Sequence, residues 1–163
     1  MKIAVLSDIH DRLDHLARAT FAANEAGCAR MLFLGDFCAP FSLNQMVTEF
    51  NGAIDAIFGN NDGDQFLLCQ VAAKHPHVTL HGQFAQLVID GRDIFLTHYP
   101  EIAAPIAKSG EHDAVLYGHN HIAHAEHIGD ILIANPGEVM GRLGPPTIGI
   151  YDTDSNTMKH VEV

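Results

Sequence analysis

Basic residues are scarce. Nine Lys and Arg stand against twenty Asp and Glu, leaving a formal net charge of −11. A surface of that sign does not suit a general nucleic-acid binder, which needs a basic footprint to displace counterions from phosphates. Cysteine is also scarce: Cys28, Cys38 and Cys69 are odd in number, widely spaced and free of any CxxC pairing. No disulfide framework is expected, and a reducing cytoplasm is the expected compartment. No run approaches the roughly 20 apolar residues that a membrane span requires. The N-terminal MKIAVLSD has no cleavage site, so it reads as a first buried strand and not as a signal peptide. No low-complexity tract, fixed-period repeat or linker interrupts the chain, so a single domain over 1–163 is expected.

What is present alternates. The apolar runs Lys2–Ser7, Met31–Leu34 and Ala53–Phe58 read as buried strands. Helical spacing falls between them, over 11–27, 41–50 and 64–74, with Asp11 as the expected N-cap of the first helix and Gly27 as its stop. Such β-α alternation predicts a parallel sheet. The second half changes character. Asp90-Gly91, Gly129-Asp130 and Asp154-Ser155-Asn156 each separate two strand-like runs and predict hairpins. Asp113–Tyr117 reads as a further buried strand and Ile102–Ser109 as a short helix interrupted by Pro105 near its beginning. The three hairpins are expected to form a second sheet packed on the first, giving an α/β sandwich of two sheets flanked by helices.

The polar residues sort onto strand ends. Asp8 and His10 follow the first strand, Asp36 the second, and Asn60, Asn61 and Asp62 the third. His98 follows the strand after Asp93, and His119 and His121 follow Asp113–Tyr117. Sites in open α/β sheets form outside the carboxyl ends of strands. Each motif alone has a structural explanation: an Asp after a strand caps helices, and Gly-Asn-Asn-Asp makes a good turn. Two imidazoles at i and i+2 after a strand have less structural purpose, and the order of all five groups is the strong signal.

That order, Asp-x-His, Gly-Asp, Gly-Asn-x-Asp, His and Gly-His-x-His, resembles the calcineurin-like metallophosphoesterase superfamily over residues 1 to about 137. The short chain is similar to its small bacterial and archaeal phosphodiesterase branch, which also contains the retromer-subunit fold. The resemblance implies a four-layer metallophosphoesterase-like fold and two divalent ions, with manganese foremost and nickel, iron or zinc as alternatives. Asp8, His10, Asp36 and His121 would hold the first ion, and Asp36, Asn60, His98 and His119 the second, with Asp36 bridging. A hydroxide shared by the ions would attack the phosphorus of a small phosphate ester, a diester in preference to a monoester. Asp36, Asn60 and His98 would thus serve catalysis directly. Asp62 would orient a ligand such as His10. A homodimer or homotetramer is expected by the same analogy.

This sequence departs from the family's pattern in two places. The position after the motif asparagine, often a proton-donating histidine, is Asn61, which cannot act as a general acid. After His98 the frequent Gly-His pair is Tyr99-Pro100, bulky and rigid. The competing reading is a non-catalytic, metal-binding interaction scaffold of the same fold, which predicts eroded ligands. A metal-dependent amidohydrolase is a third reading, but it would need HxH on the first strand and a barrel of about 250 residues.

Overall fold

The computed structural model describes residues 1–163. Strands β1 (Lys2–Leu6), β2 (Arg30–Phe33) and β3 (Ala53–Ala56) run parallel, with Ile3 opposite Arg30 and Arg30 opposite Ala53. Their side chains divide by parity, as the two-residue period of a strand requires. Ala4, Leu6, Met31 and Phe33 join one apolar cluster, whereas Ile3, Val5 and Leu32 join another. Both faces are covered, which is why these strands read as continuous apolar runs. Helices α1 (Leu13–Glu25), α2 (Pro40–Glu49) and α3 (Gln65–Ala72) cover the first face. Helix α1 buries Leu16, Ala19, Thr20 and Ala23, the spacing of one helical stripe.

Three expectations are corrected here. Asp11 does not cap α1, whose N-cap is Arg12 with no side-chain bond. Its carboxylate instead reaches across to accept the main-chain N–H of Ala39 at 2.9 Å and the hydroxyl of Ser42 at 2.8 Å, tying down the start of α2. Secondly, the hairpin of β10 (Thr147–Asp152) and β11 (Thr157–Glu162) belongs to the first sheet, where β10 pairs antiparallel with β1. Ile148 faces the helices and Tyr151 the other sheet, so β10 needs cover on both sides. With the three-residue β4 (Val78–Leu80), too short to show a period, the first sheet has the order β11-β10-β1-β2-β3-β4 and is mixed, not purely parallel. Thirdly, α4 (Pro100–Ser109) runs through Pro105 instead of being broken by it.

The second sheet holds β5 (Phe84–Ile89), β6 (Arg92–Thr97), β7 (Ala114–Leu116), β8 (His124–Ile128) and β9 (Ile131–Asn135), in the order β5-β6-β7-β9-β8. Its inner face meets the first sheet through Ile94, Leu96, Leu116 and Leu132, and α4 packs on its outer face through Ala103 and Ala107. The result is four layers: helices, sheet, sheet, helix. The layers bring the carboxyl ends of β1, β2, β3, β6 and β7 to one edge of the sandwich. No helix is long and apolar enough to cross a membrane.

Candidate metal centre

The loops leaving these strands turn sharply. Nine non-glycine residues have positive φ, and seven of them are Asp8, His10, Asp11, Asp36, Cys38, His119 and His121. Each left-handed residue costs about 1–3 kcal/mol and persists only where its surroundings impose it. Such strain marks this edge as the place where geometry outranks local preference. Two glycines make the approach of the loops possible. A Cβ on Gly59 would lie 2.2 Å from Asp36 Oδ1, and one on Gly118 would lie 2.0 Å from Ser7 Oγ.

The turns bring the expected residues together. His10 Nε2 lies 3.7 Å from Asp8 Oδ1, and His121 Nε2 lies 3.2 Å from the same oxygen. Asp36 Oδ2 stands between the two halves of the site, 3.4 Å from His10 Nε2 and 3.5 Å from His98 Nε2. His98 Nε2 is 3.1 Å from Asn60 Oδ1, and the His119 ring stands 5.1 Å from that of His98, edge to face. Two donor groups result, Asp8 with His10 and His121, and Asp8 with Asp36 and His98, each with its atoms within 4.8 Å of one another. Proximity therefore shares Asp8, as well as Asp36, between the two halves.

Partners behind the imidazoles fix which nitrogen faces the site. His98 Nδ1–H donates to the Leu34 carbonyl at 2.7 Å, and His121 Nδ1–H to Glu138 Oε2 at 2.6 Å. His10 Nδ1 contacts Cys38 Sγ at 3.4 Å. In all three rings Nε2 is the nitrogen turned toward the site, the arrangement by which proteins hold metal-binding histidines. The expected role of Asp62 is corrected. Its carboxylate does not touch His10 but accepts the main-chain N–H groups of Gly59 (2.7 Å), Asp36 (3.1 Å) and Cys38 (3.1 Å), clamping the β2 and β3 loops together. Tyr99 lines the site, its ring 5.2 Å from His98 and 5.4 Å from His119. Arg12 turns away to pair with Asp14 and His15.

Glu138 is the residue that sequence reading missed. Almost fully buried, it holds His121 through Oε2, while Oε1 accepts main-chain N–H groups of Arg142 (2.7 Å), Leu143 and Gly144 (3.1 Å). The Asn135-Pro136-Gly137 turn before it does more than reverse the chain. Asn135 Nδ2 donates to the Gly118 carbonyl and to Asn120 Oδ1, both at 2.9 Å, bracing the Gly-His-x-His loop. A carboxylate directly after that turn was the available signal.

The donor set fits cations. Asp8 Oδ1, His10 Nε2 and Ser7 Oγ are buried with no hydrogen-bond partner. A carboxylate oxygen and an imidazole nitrogen facing one another share a missing partner most simply in a metal ion. The charge states agree. Burial opposes ionisation of Asp8, but contacts with His10 and His121 hold its carboxyl well below the usual range. Burial likewise opposes ionisation of Asp36 and is outweighed by His98 and Asn61. Asp8, then Glu138, push His121 up to about 9 against burial. Burial, with Asp11 and Asp36 nearby, pushes the Cys38 thiol up to about 12, so it stands as a neutral neighbour of His10 and not as a thiolate ligand.

Known proteins share the sequence pattern and the fold. A profile of the calcineurin-like phosphoesterase superfamily domain matches residues 1–156. The chain is 34% identical to the phosphodiesterase MJ0936 of Methanocaldococcus jannaschii, over 99% of this chain and 98% of that one. It is 28% identical to the phosphodiesterase YfcE of Escherichia coli, over 94% of this chain and 89% of that one. Among solved structures, that of an archaeal phosphodiesterase superposes with a TM-score of 0.92 at 33% identity, covering 100% of both chains. Built on the same four layers and matched by the profile along almost its full length, the chain belongs to the calcineurin-like phosphoesterase superfamily.

Proposed function

We propose that this chain, as one catalytic unit over 1–163, is a phosphodiesterase that depends on two divalent metal ions. The observation that carries the reading is the position of Asp36 Oδ2, 3.4 Å from His10 Nε2 on one side and 3.5 Å from His98 Nε2 on the other. One oxygen between two sets of inward-facing donors is what a bridging ligand requires. Asp8, His10, Asp36 and His121 would hold one ion, and Asp36, Asn60, His98 and His119 the other. When bound, such a pair supplies Lewis acidity at the phosphoryl oxygens and lowers the pKa of water toward neutrality.

The residues of the chain do the rest by positioning. Asp62 keeps the β2 and β3 loops at a fixed separation, and the Leu34 carbonyl, Glu138 and Cys38 hold three imidazoles in one orientation. Asn61 offers no proton to a departing alkoxide, which favours esters with good leaving groups and a monoanionic diester over a dianionic monoester. The oxygen and nitrogen donor set suits manganese foremost, with nickel, iron or zinc as substitutes. The scarcity of cysteine favours a cytoplasmic setting, and a homodimer or homotetramer is the assembly that light scattering would test.

The test is hydrolysis of bis(p-nitrophenyl) phosphate and p-nitrophenyl phosphate by chelator-stripped protein given Mn²⁺, Ni²⁺, Zn²⁺ or Mg²⁺. The diester with Mn²⁺ is expected to turn over fastest, and Asp36→Ala and His98→Ala to abolish turnover. Hydrolysis unchanged in those variants would sink the site assignment. Inactivity with every metal would sink the enzyme reading itself and leave the metal-binding scaffold.

A further inference from the structure

Beside His121 the surface opens into a cleft of about 320 Å³ that the chemistry above does not use. His121 and Ala123 line it together with Gly144 and Pro145 of the loop before β10, and with Thr147, His160 and Glu162 of the β10–β11 hairpin. That loop is anchored on both sides. Glu138 Oε1 accepts the Gly144 N–H at 3.1 Å, and the Pro146 carbonyl accepts the Val163 N–H at 2.9 Å. The hairpin is equally fixed. Thr147 pairs directly with Glu162 across the β10–β11 ladder, and His160, two residues earlier on β11, projects from the same face. A cleft starting at a proposed metal ligand and built on paired strands is preformed for part of a substrate.

Its chemistry selects what enters. No Lys or Arg lines it, and Glu162 contributes a carboxylate, so a second phosphate finds neither a cation nor a neutral wall there. His160 Nε2–H donates to the Asn135 carbonyl at 2.8 Å, which leaves Nδ1 with its lone pair. Two of the residues lining the cleft thus carry free acceptor atoms, the Glu162 carboxylate and His160 Nδ1, and Thr147 adds a hydroxyl. Two adjacent acceptors complement two adjacent hydroxyl donors. We propose that this cleft binds the retained alcohol group of the diester, and that this group carries neighbouring hydroxyls, as glycerol and ribose do. The proposal rests on the phosphodiesterase reading and adds the substrate class to it.

Diesters that share a p-nitrophenyl leaving group isolate the second group. The manganese-loaded protein is assayed with propyl, 2,3-dihydroxypropyl and ribose-5-yl p-nitrophenyl phosphates, the last two separating a glycerol from a ribose source. Either hydroxylated ester is expected to exceed the propyl ester in kcat/KM by about tenfold or more, as a site with hydroxyl partners discriminates against an analogue lacking them. Glu162→Ala and Thr147→Val should collapse that ratio. In parallel, calorimetry should find propyl phosphate bound at least about tenfold more weakly than glycerol 3-phosphate or ribose 5-phosphate. Equal rates for all three esters, or a preference that survives both substitutions, would overturn the proposal. If no diester is hydrolysed, the phosphodiesterase reading falls, and the calorimetric ratio alone decides the cleft.

Discussion

Asn61 donates to both oxygens of Asp36, its main-chain N–H to Oδ1 and its side-chain Nδ2–H to Oδ2, each at 2.8 Å. The residue that replaces a proton donor thus has a different task here: it fixes the plane of the carboxylate between the two halves of the site. Asn61→Ala keeps the main-chain bond and loses the other. Manganese affinity is expected to fall about 10–100-fold, the usual cost of removing an outer partner of a ligand. Titration calorimetry checks this, and affinity equal to that of the parent would show that Asp36 needs no such support.

Glu138 should matter on two counts. Glu138→Ala frees His121 to rotate and leaves the amides of Arg142, Leu143 and Gly144 without their acceptor. The loop lies near the surface, so water can replace part of what is lost, and a stability decrease of about 1–3 kcal/mol is expected. Manganese affinity should drop about 10–100-fold for the reason given for Asn61. Glu138→Gln, which retains a carbonyl acceptor, should recover much of the stability. Denaturant unfolding of metal-free protein separates the two effects, and a Gln variant no more stable than the Ala variant would contradict the loop-holding role.

The contrast between these residues and the proposed ligands explains what the sequence disclosed. Asp8, Asp36, His98, His119 and His121 were readable because each follows a buried apolar run, and strand ends are where α/β sites lie. Long-range partners were not readable. Asp62 was expected at His10, yet besides the nearby Gly59 amide it serves those of Asp36 and Cys38, 26 and 24 positions before it, a relation set by how two loops meet. Glu138 lies 17 residues from His121 and meets it only through the β7–β9 pairing. The β10–β11 hairpin was legible as a hairpin, but which sheet receives it depends on the unpaired edge of β1, which no local pattern records.

The titrating groups predict an opposite pH dependence for stability and for metal binding. Asp8 and Asp36 have depressed pKa values when folded. Their stabilisation is present above the unfolded value, near 4, and is lost as pH falls through the folded values. His98 and His121 are raised, His121 to about 9. Their stabilisation is full below the unfolded value, about 6.5, and is lost as pH rises through the folded values. Metal-free protein should therefore be most stable between about pH 4 and 6.5 and weaken steadily toward about 9. An ion needs His121 unprotonated, so manganese affinity should rise over the same upper window. Melting temperatures with chelator and with excess Mn²⁺ should diverge as pH increases from 6 to about 9. Parallel curves would mean that His121 does not compete with protons for the ion.

Close packing of the loops makes the last prediction a steric one. At Gly118 a Cβ would fall 2.0 Å from Ser7 Oγ and 2.9 Å from Asp8 Oδ2; at Gly59 it would fall 2.2 Å from Asp36 Oδ1. Neither the carboxylates nor the β1 end can retreat, because Asp8 Oδ2 already accepts the His119 N–H and Asp36 Oδ1 that of Asn61. Gly118→Ala and Gly59→Ala should each cost about 1–3 kcal/mol through overpacking, and displacement of the carboxylates should lower manganese affinity at least about tenfold. Gly63 is the comparison. A Cβ there meets only the Cys38 carbonyl, at 3.6 Å, an ordinary contact. Gly63→Ala is expected to stay within about 0.5 kcal/mol of the parent. Chemical denaturation and calorimetry on the three variants test this, and equal behaviour of Gly118→Ala and Gly63→Ala would refute the claim that the strand ends are held in contact by missing side chains.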